Sequence, residues 1–331
     1  MFDRYDPLDR DDRKRDHNDD DGGPRIGRGP SPQQDTSDHD SLDRADARPR
    51  DDDPRGLDPR DVFMRDLDLP RDRDREVVYD GRDRQYTLRG SETRTLSTVG
   101  AFRVVSASDL RDQTGQPGDP RTGDLRHLRG QGLIDTVRLA GRRDVAVVLT
   151  KCGRDLLESR RGRHQKPRQE FYAGLKRARE VEHDSQVYSA YCDVAERLQA
   201  RGARIERVAL DYELKRDYQQ WLHERDRDRA DYDGHPDRSA EEIAQWARDH
   251  ELPYFDDQVH FPDLRIEYEE VDGRIRHEDV EVLTVHYRGA HGAAAARSGF
   301  TAFRGFSARV GGRSGSGRSR GGAGFAEEML S

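Results

Sequence analysis

Apolar residues follow two rhythms along the middle of this chain, and the switches between them mark out elements. "REVVYDGRDRQYTLRG" (residues 75–90) places two short β-rich runs around Asp80-Gly81, which predicts a hairpin. The spacing then becomes helical. Ser91 can cap, Glu92 sits in the first turn, and Leu96, Val99, Phe102 and Val105 recur on one face. "SASDLRD" predicts a second, short helix with Leu110 inward, and "QPGDP" breaks the chain. "RTGDLRHLRGQGLI" predicts a third helix burying Leu125, Leu128 and Leu133, with Gly132 near its end. In "DTVRLAGRRDVAVVLT" Val137 and Leu139 alternate with polar neighbours. Gly141 to Asp144 turn the chain, and Val145 to Leu149 return, so a two-stranded ribbon with arginines at its tip is expected. "GRDLLESRR" closes the block with another helix.

A second set of elements follows. Phe171, Leu175, Ala178, Val187, Tyr191, Val194 and Leu198 predict a long helix over residues 169–202, interrupted on a half-buried turn by His183-Asp184. Without further information that histidine reads as a packing residue. A strand through Val208 and Leu210 runs into a highly charged helix. Ser239 and Glu242 form a capping box ahead of Ile243, Trp246 and Ala247. "HFPDLRIEYEEVDGRIRHEDVEVL" predicts a hairpin turning at Asp272-Gly273, with Leu264, Ile266 and Tyr268 on one face and Val280 and Val282 on the return strand.

Composition changes the picture at the ends. The chain of 331 residues is 38% charged and only 32% hydrophobic, so part of it lacks the apolar groups to pack. Residues 1–75, rich in Asp, Arg, Pro and Gly, read as a disordered polyampholyte arm whose one apolar island is Asp61–Pro70. Residues 306–331 read as a flexible Gly/Ser/Arg tail. The expected domains are then 76–165 and 166–305. No apolar run is long enough to span a bilayer, and two scattered cysteines suggest neither a metal cluster nor a disulfide framework. A reducing cytoplasm is the simplest reading.

Charge separates the two domains. Residues 82–168 carry 19 basic and 10 acidic side chains, whereas 1–75 carry 16 and 23. The basic block exposes Arg121, Arg126, His127 and Arg129 on its third helix and Arg142 and Arg143 on its ribbon. Arginine offers a bidentate fork to guanine edges and a fixed charge to phosphate. Three helices and a β-ribbon resemble the winged helix-turn-helix fold of DNA-binding proteins. That resemblance implies double-stranded DNA as partner; a homodimer is a separate option that the sequence leaves open. The alternatives are a winged helix used for protein contacts, its charges merely solvated, and a transcriptional regulator whose acidic half senses a ligand or dimerises. The excess of basic side chains in this block favours DNA.

In the second block, Pro262-Asp263, a hairpin and Glu281 resemble the core of PD-(D/E)xK, restriction-endonuclease-like nucleases. In that family the two carboxylates hold Mg²⁺ and a lysine two residues on activates water. Asp263 and Glu281 match the acidic pair and would be metal ligands and catalytic residues. The lysine position is Leu283, and His286 or Arg288 would have to stand in. Glu213-Leu214-Lys215, with Asp211 before it, satisfies E-x-K but precedes Pro-Asp, so Glu213 is a further candidate in the wrong order.

The combined fold class is therefore α/β (α+β), a winged helix-turn-helix followed by a nuclease-like α/β module. Over residues 80–300 this pairing resembles the replication-relaxation family of bacterial plasmids and integrating elements. The resemblance implies a DNA-binding accessory role in replication, relaxation or transfer of a mobile genetic element, with a degenerate nuclease-like domain. An active Mg²⁺-dependent endonuclease is the alternative. "HYRGAHGAAAARSG" (residues 286–299) adds a basic patch leading into an alanine helix.

Overall fold

The computed structural model describes residues 58–139, 144–162, 169–175, 181–225, 236–283 and 296–305. They form a mixed α/β protein of small sheets, and no helix among them is long and apolar enough to cross a membrane. The expectations for residues 1–57 and 306–331, the ribbon tip with Arg142 and Arg143, and the His286–His291 patch lie outside the described residues. So does nearly all of the alanine run.

The first half is built on a three-stranded antiparallel sheet. Strand β1 (Glu76–Tyr79) pairs with β2 (Gln85–Leu88) in a separate hairpin, as the Asp80-Gly81 pattern predicts. Helix α1 (Gly90–Phe102) follows, capped at Arg89 rather than Ser91. The Glu92 carboxylate reaches back to the Arg89 N–H. The helix ends earlier than its apolar spacing predicts. Arg103 adopts φ 64°, ψ −51°, which turns the chain so that Val104–Ser106 becomes strand β3. The second predicted helix is a single 3-10 turn, Ala107–Asp109, with Leu110 buried behind it. Helix α2 (Gly123–Gly130), β4 (Ile134–Arg138), β5 (Val145–Leu149) and α3 (Lys151–Ser159) complete the unit, with β5 central between β3 and β4.

The second half is a four-stranded sheet against helix α4 (Val181–Ala200). Strands β6 (Arg204–Leu210), β9 (Leu264–Glu269) and β10 (Ile275–Leu283) run antiparallel in that order, and β11 (Thr301–Arg304) adds parallel to β10. Between β6 and β9 lie α5 (Asp211–Glu224), α6 (Ala240–Asp249) and a short hairpin of β7 (Tyr254–Phe255) and β8 (Gln258–Val259). Both halves of the Ser239–Glu242 capping box form. Val208, Leu210, Ile266, Leu264, Val280 and Val282 are buried against α4.

Two expectations are corrected. The arm does not extend to residue 75. Phe63, Met64, Leu67 and Leu69 are buried, and Pro59–Met64 forms a 3-10 helix packed beside α1 and α4. Phe63 meets Phe102 edge-on at 5.3 Å and Tyr191 at 5.3 Å, and the Tyr191 hydroxyl donates to the Pro59 carbonyl at 2.6 Å. Four apolar side chains in a charged segment suffice, because each finds a preformed apolar slot. The long helix likewise begins later than its apolar stripe suggests. Residues 169–175 run extended, with Tyr172 N–H on the Gly100 carbonyl and Gly174 N–H on that of Leu149, both 2.8 Å. This segment ties the halves together, and one hydrophobic core runs through both.

Candidate functional site

Three strand ends and two helix starts meet at one edge of the four-stranded sheet. The register pairs Leu210 with Leu264 and Leu264 with Val280. One residue further along each strand come Asp211, Asp263 and Glu281, a row of acids across β6, β9 and β10. The row is real in the backbone: Asp211 N–H donates to the Asp263 carbonyl at 3.2 Å. The Asp263 carboxylate accepts the Val282 N–H at 2.8 Å, next to Glu281. Thus two of the sequence candidates, Asp263 and Glu281, are brought side by side, and Glu281 is buried to 9% exposure.

The cation missing at Leu283 comes from elsewhere. Leu283 is buried in β10. Lys215 lies in the first turn of α5, four residues after Asp211, and its Nζ donates to the Asp211 carboxylate at 2.7 Å. Burial works to lower the Lys215 pKa, but the carboxylates of Asp211, Asp263 and Glu281 outweigh it and hold the ammonium above the ordinary lysine value. The out-of-order E-x-K tripeptide therefore delivers its lysine to the acidic row in space. Its glutamate goes the other way. Glu213 is buried and paired with Arg207, which also lies 3.6 Å from Glu267.

His183 is a second cation at the row. Near the start of α4, its Nε2 lies 3.2 Å from Asp263 and its Nδ1 3.4 Å from Asp184. Burial opposes the charge, yet hydrogen bonds to the two carboxylates raise its pKa to about 10, so the ring is an imidazolium at neutral pH. Arg103, in its strained conformation, approaches Asp184 at 3.8 Å from the other half. Phe102, Arg103, His183, Asp184, Val187, Leu210, Asp211 and Asp263 enclose a cavity of about 220 Å³ at this seam.

This donor set does not fit a Mg²⁺ ion. Among the described residues no three His, Cys, Asp or Glu side chains converge to hold a metal. Asp263 Oδ2 already accepts from the His183 imidazolium and from the Val282 main-chain N–H. A divalent cation there would have to displace His183 against its two hydrogen-bonded carboxylates.

The other set of candidates lies on α2. Asp124, Leu125 and Leu128 are buried, and the Arg89 guanidinium pairs with Asp124. Arg126 and Arg129 are exposed, as is Arg121 just before the helix. Their guanidinium groups make no ion pair among the described residues. His127 is half-buried and engaged: its Nε2 contacts the Thr87 carbonyl at 3.0 Å and hydroxyl at 3.2 Å. Arg138, at the end of β4, is also exposed on the ribbon, a position that alternation alone did not single out.

Compared with protein-family models, with curated proteins and with solved structures, the chain matches none.

Proposed function

We propose that this chain binds double-stranded DNA through α2 and the β4–β5 ribbon, and that its second half is a nuclease-like module that does not cut. The observation that carries the reading is the division of α2. Its acid and leucines are turned into the protein, and Arg126 and Arg129 are left to solvent with Arg121 beside them. A helix that hides its carboxylate and shows its guanidiniums suits a polyanion. The order α1, β3, 3-10 turn, α2, β4, β5 is the one expected of a winged helix-turn-helix, where the last helix enters the major groove and the ribbon follows the backbone. The order α4, β6, β9, β10, β11 with Asp263 and Glu281 at adjacent strand ends supports the nuclease-like reading. His183 beside Asp263 and Lys215 on Asp211 offset part of the negative charge of that row, which supports a module that does not cut. An accessory role in replication or transfer of mobile DNA follows from the family resemblance.

Fluorescence anisotropy with a duplex of about 30 base pairs across a salt series tests the binding, since each phosphate contact steepens the salt dependence. Arg126→Ala with Arg129→Ala is expected to weaken binding and reduce the salt slope by about two. Affinity that ignores both salt and these arginines rejects the DNA reading. Plasmid nicking by clean protein in Mg²⁺, lost in Asp263→Ala, rejects the non-cutting half.

A further inference from the structure

A cleft beside the 3-10 helix takes no part in the surfaces described so far. It lies between that helix (Pro59–Met64), the chain at Arg71, α1 at Arg94, the end of α4 and the start of β6. Its volume is about 320 Å³, against about 220 Å³ for the cavity at His183. Ligand pockets begin at about 300 Å³, so only the first has room for a small molecule. Met64, Ala203 and Ile205 contribute to an apolar wall. Four arginines, Arg65, Arg71, Arg94 and Arg204, line the cleft beside two aspartates, Asp58 and Asp61.

These arginines are held in place without being used up. Arg65 joins the two halves, with Nη1 on Glu206 at 2.7 Å and Nη2 on the Ile205 carbonyl at 2.8 Å. Arg204 shares Glu206 and pairs with Glu269. Arg94 gives its Nε to Asp61 at 2.6 Å, and its two Nη groups make no hydrogen bond among the described residues. Asp58 is taken by Arg60. Arg71 has no carboxylate partner among the described residues. Its Nη2 donates to the Met64 and Arg65 carbonyls at 3.3 and 2.9 Å, which fixes the guanidinium at the end of the 3-10 helix and leaves Nε and Nη1 unengaged. The backbone there is fixed too. The Gly90 N–H donates to the Asp72 carbonyl at 2.7 Å, and a Cβ at residue 90 would collide with the Arg71 carbonyl. With ion-pair partners included, Arg60 joins four lining guanidiniums, and Glu206 and Glu269 join two lining carboxylates. The cleft therefore keeps an excess of positive charge.

We propose that this cleft binds a small phosphomonoester of about the size of a nucleoside monophosphate, with its phosphate on Arg71 and Arg94 and its body against the apolar wall. A phosphomonoester brings close to two negative charges and three acceptor oxygens, which suits guanidinium forks with donors to spare. Arg71 gives up no carboxylate to receive it. None of the lining residues belongs to α2 or the ribbon, so the site does not depend on the DNA reading.

Calorimetric titration of the full chain with AMP, inorganic phosphate and adenosine tests the site. AMP should bind more tightly than either of its parts. Arg71→Ala should weaken AMP about tenfold or more, and Arg71→Lys, which keeps the charge but not the fork, should recover part of the loss. Arg94→Gln, on a different element, should give a loss of similar size. Melting without ligand checks that each variant folds, and AMP should raise the melting temperature of the wild type more than that of Arg71→Ala. Arg126→Ala with Arg129→Ala should bind AMP as the wild type does. The site is overturned if AMP does not bind, if Arg71→Ala and Arg94→Gln bind it like the wild type, or if adenosine binds as tightly as AMP. A loss of duplex affinity in Arg71→Ala without any AMP binding would assign the cleft to the nucleic-acid backbone and overturn the small ligand.

Discussion

The two sheets of this protein handle charge in opposite ways. Around β3, β5 and β4 the buried positions are apolar apart from Ser106. Asp135 and Arg138 of β4 are exposed, and the arginines of α2 sit outside the sheet, exposed and without ion pairs among the described residues. Around β6, β9 and β10 the charges are inside. One face of that sheet is apolar against α4. The other carries Arg265 paired with Asp279 at 2.7 Å and Arg207 paired with Glu213, all largely removed from water. Charge left in solvent is available to a partner at little desolvation cost, whereas charge matched internally is already spent on the fold. The difference explains why a net count along the sequence, basic then acidic, describes the surface of the first half better than that of the second.

The largest effect expected from this contrast is at Arg265. Its guanidinium also donates to the carbonyls of His250 and Glu251, at 2.8 and 3.2 Å, so it joins β9, β10 and the end of α6. Arg265→Ala leaves Asp279 buried without its partner and should cost about 3–5 kcal/mol in urea unfolding. Restoring shape without charge, with Arg265→Met and Asp279→Leu together, should recover most of it. A loss below about 1 kcal/mol for Arg265→Ala means that Asp279 reaches water and the internal-charge description is wrong.

His183 gives the next effect, and here pH supplies the sign. Its folded pKa, about 10, lies above the ordinary histidine value of 6.5. Its contribution to stability is therefore complete below pH 6.5 and is lost as pH rises through 10. His183→Gln should be clearly less stable than wild type at pH 6, and the gap should close toward pH 10.5. A gap that stays constant over that range means the ring is neutral throughout and Asp263 is held by something else.

Much of this architecture was legible in the sequence. Alternation gave the β9–β10 hairpin, and Asp272-Gly273 gave its turn, with Gly273 at φ 81°. The Ser239–Glu242 box located the start of α6. What failed did so for two physical reasons. Val105 fits the α1 spacing, but Arg103 breaks the helix with a conformation that no propensity favours, and β5 claims Val104–Ser106 by pairing. The site failed differently. Lys215 was visible as part of an E-x-K tripeptide, but its distance from Asp263 in the chain hid their meeting. Only the β6–β9 register, which sets Leu210 against Leu264, brings them together. His183, likewise, read as a packing residue, because no local pattern announces a partner 80 residues away.

Glu92 tests the contrast from the other side, with a smaller effect. It is fully buried in the basic half, and Arg75 reaches it at 2.6 Å. The arrangement is one-sided, since the Arg75 side chain is 39% exposed and can return to water. Glu92→Gln keeps an acceptor for the Arg89 N–H and should cost about 1–2 kcal/mol. A cost as large as that of Arg265→Ala would show that buried ion pairs weigh equally in both halves.

The smallest stability effect expected is the most direct test of the comparison. Arg126→Ala and Arg129→Ala remove two charges that make no ion pair among the described residues. Their neighbours on α2, Leu125 and Leu128, do the packing, and Asp124 is held by Arg89. Alanine also favours the helix slightly. The double variant should therefore melt within about 0.5 kcal/mol of wild type. Its loss of DNA affinity would then be a loss of contact and not of structure. If instead it is destabilised by an amount near that of Glu92→Gln, these arginines serve the fold. The exposed charge of the first half would then be no more available to a partner than the buried charge of the second.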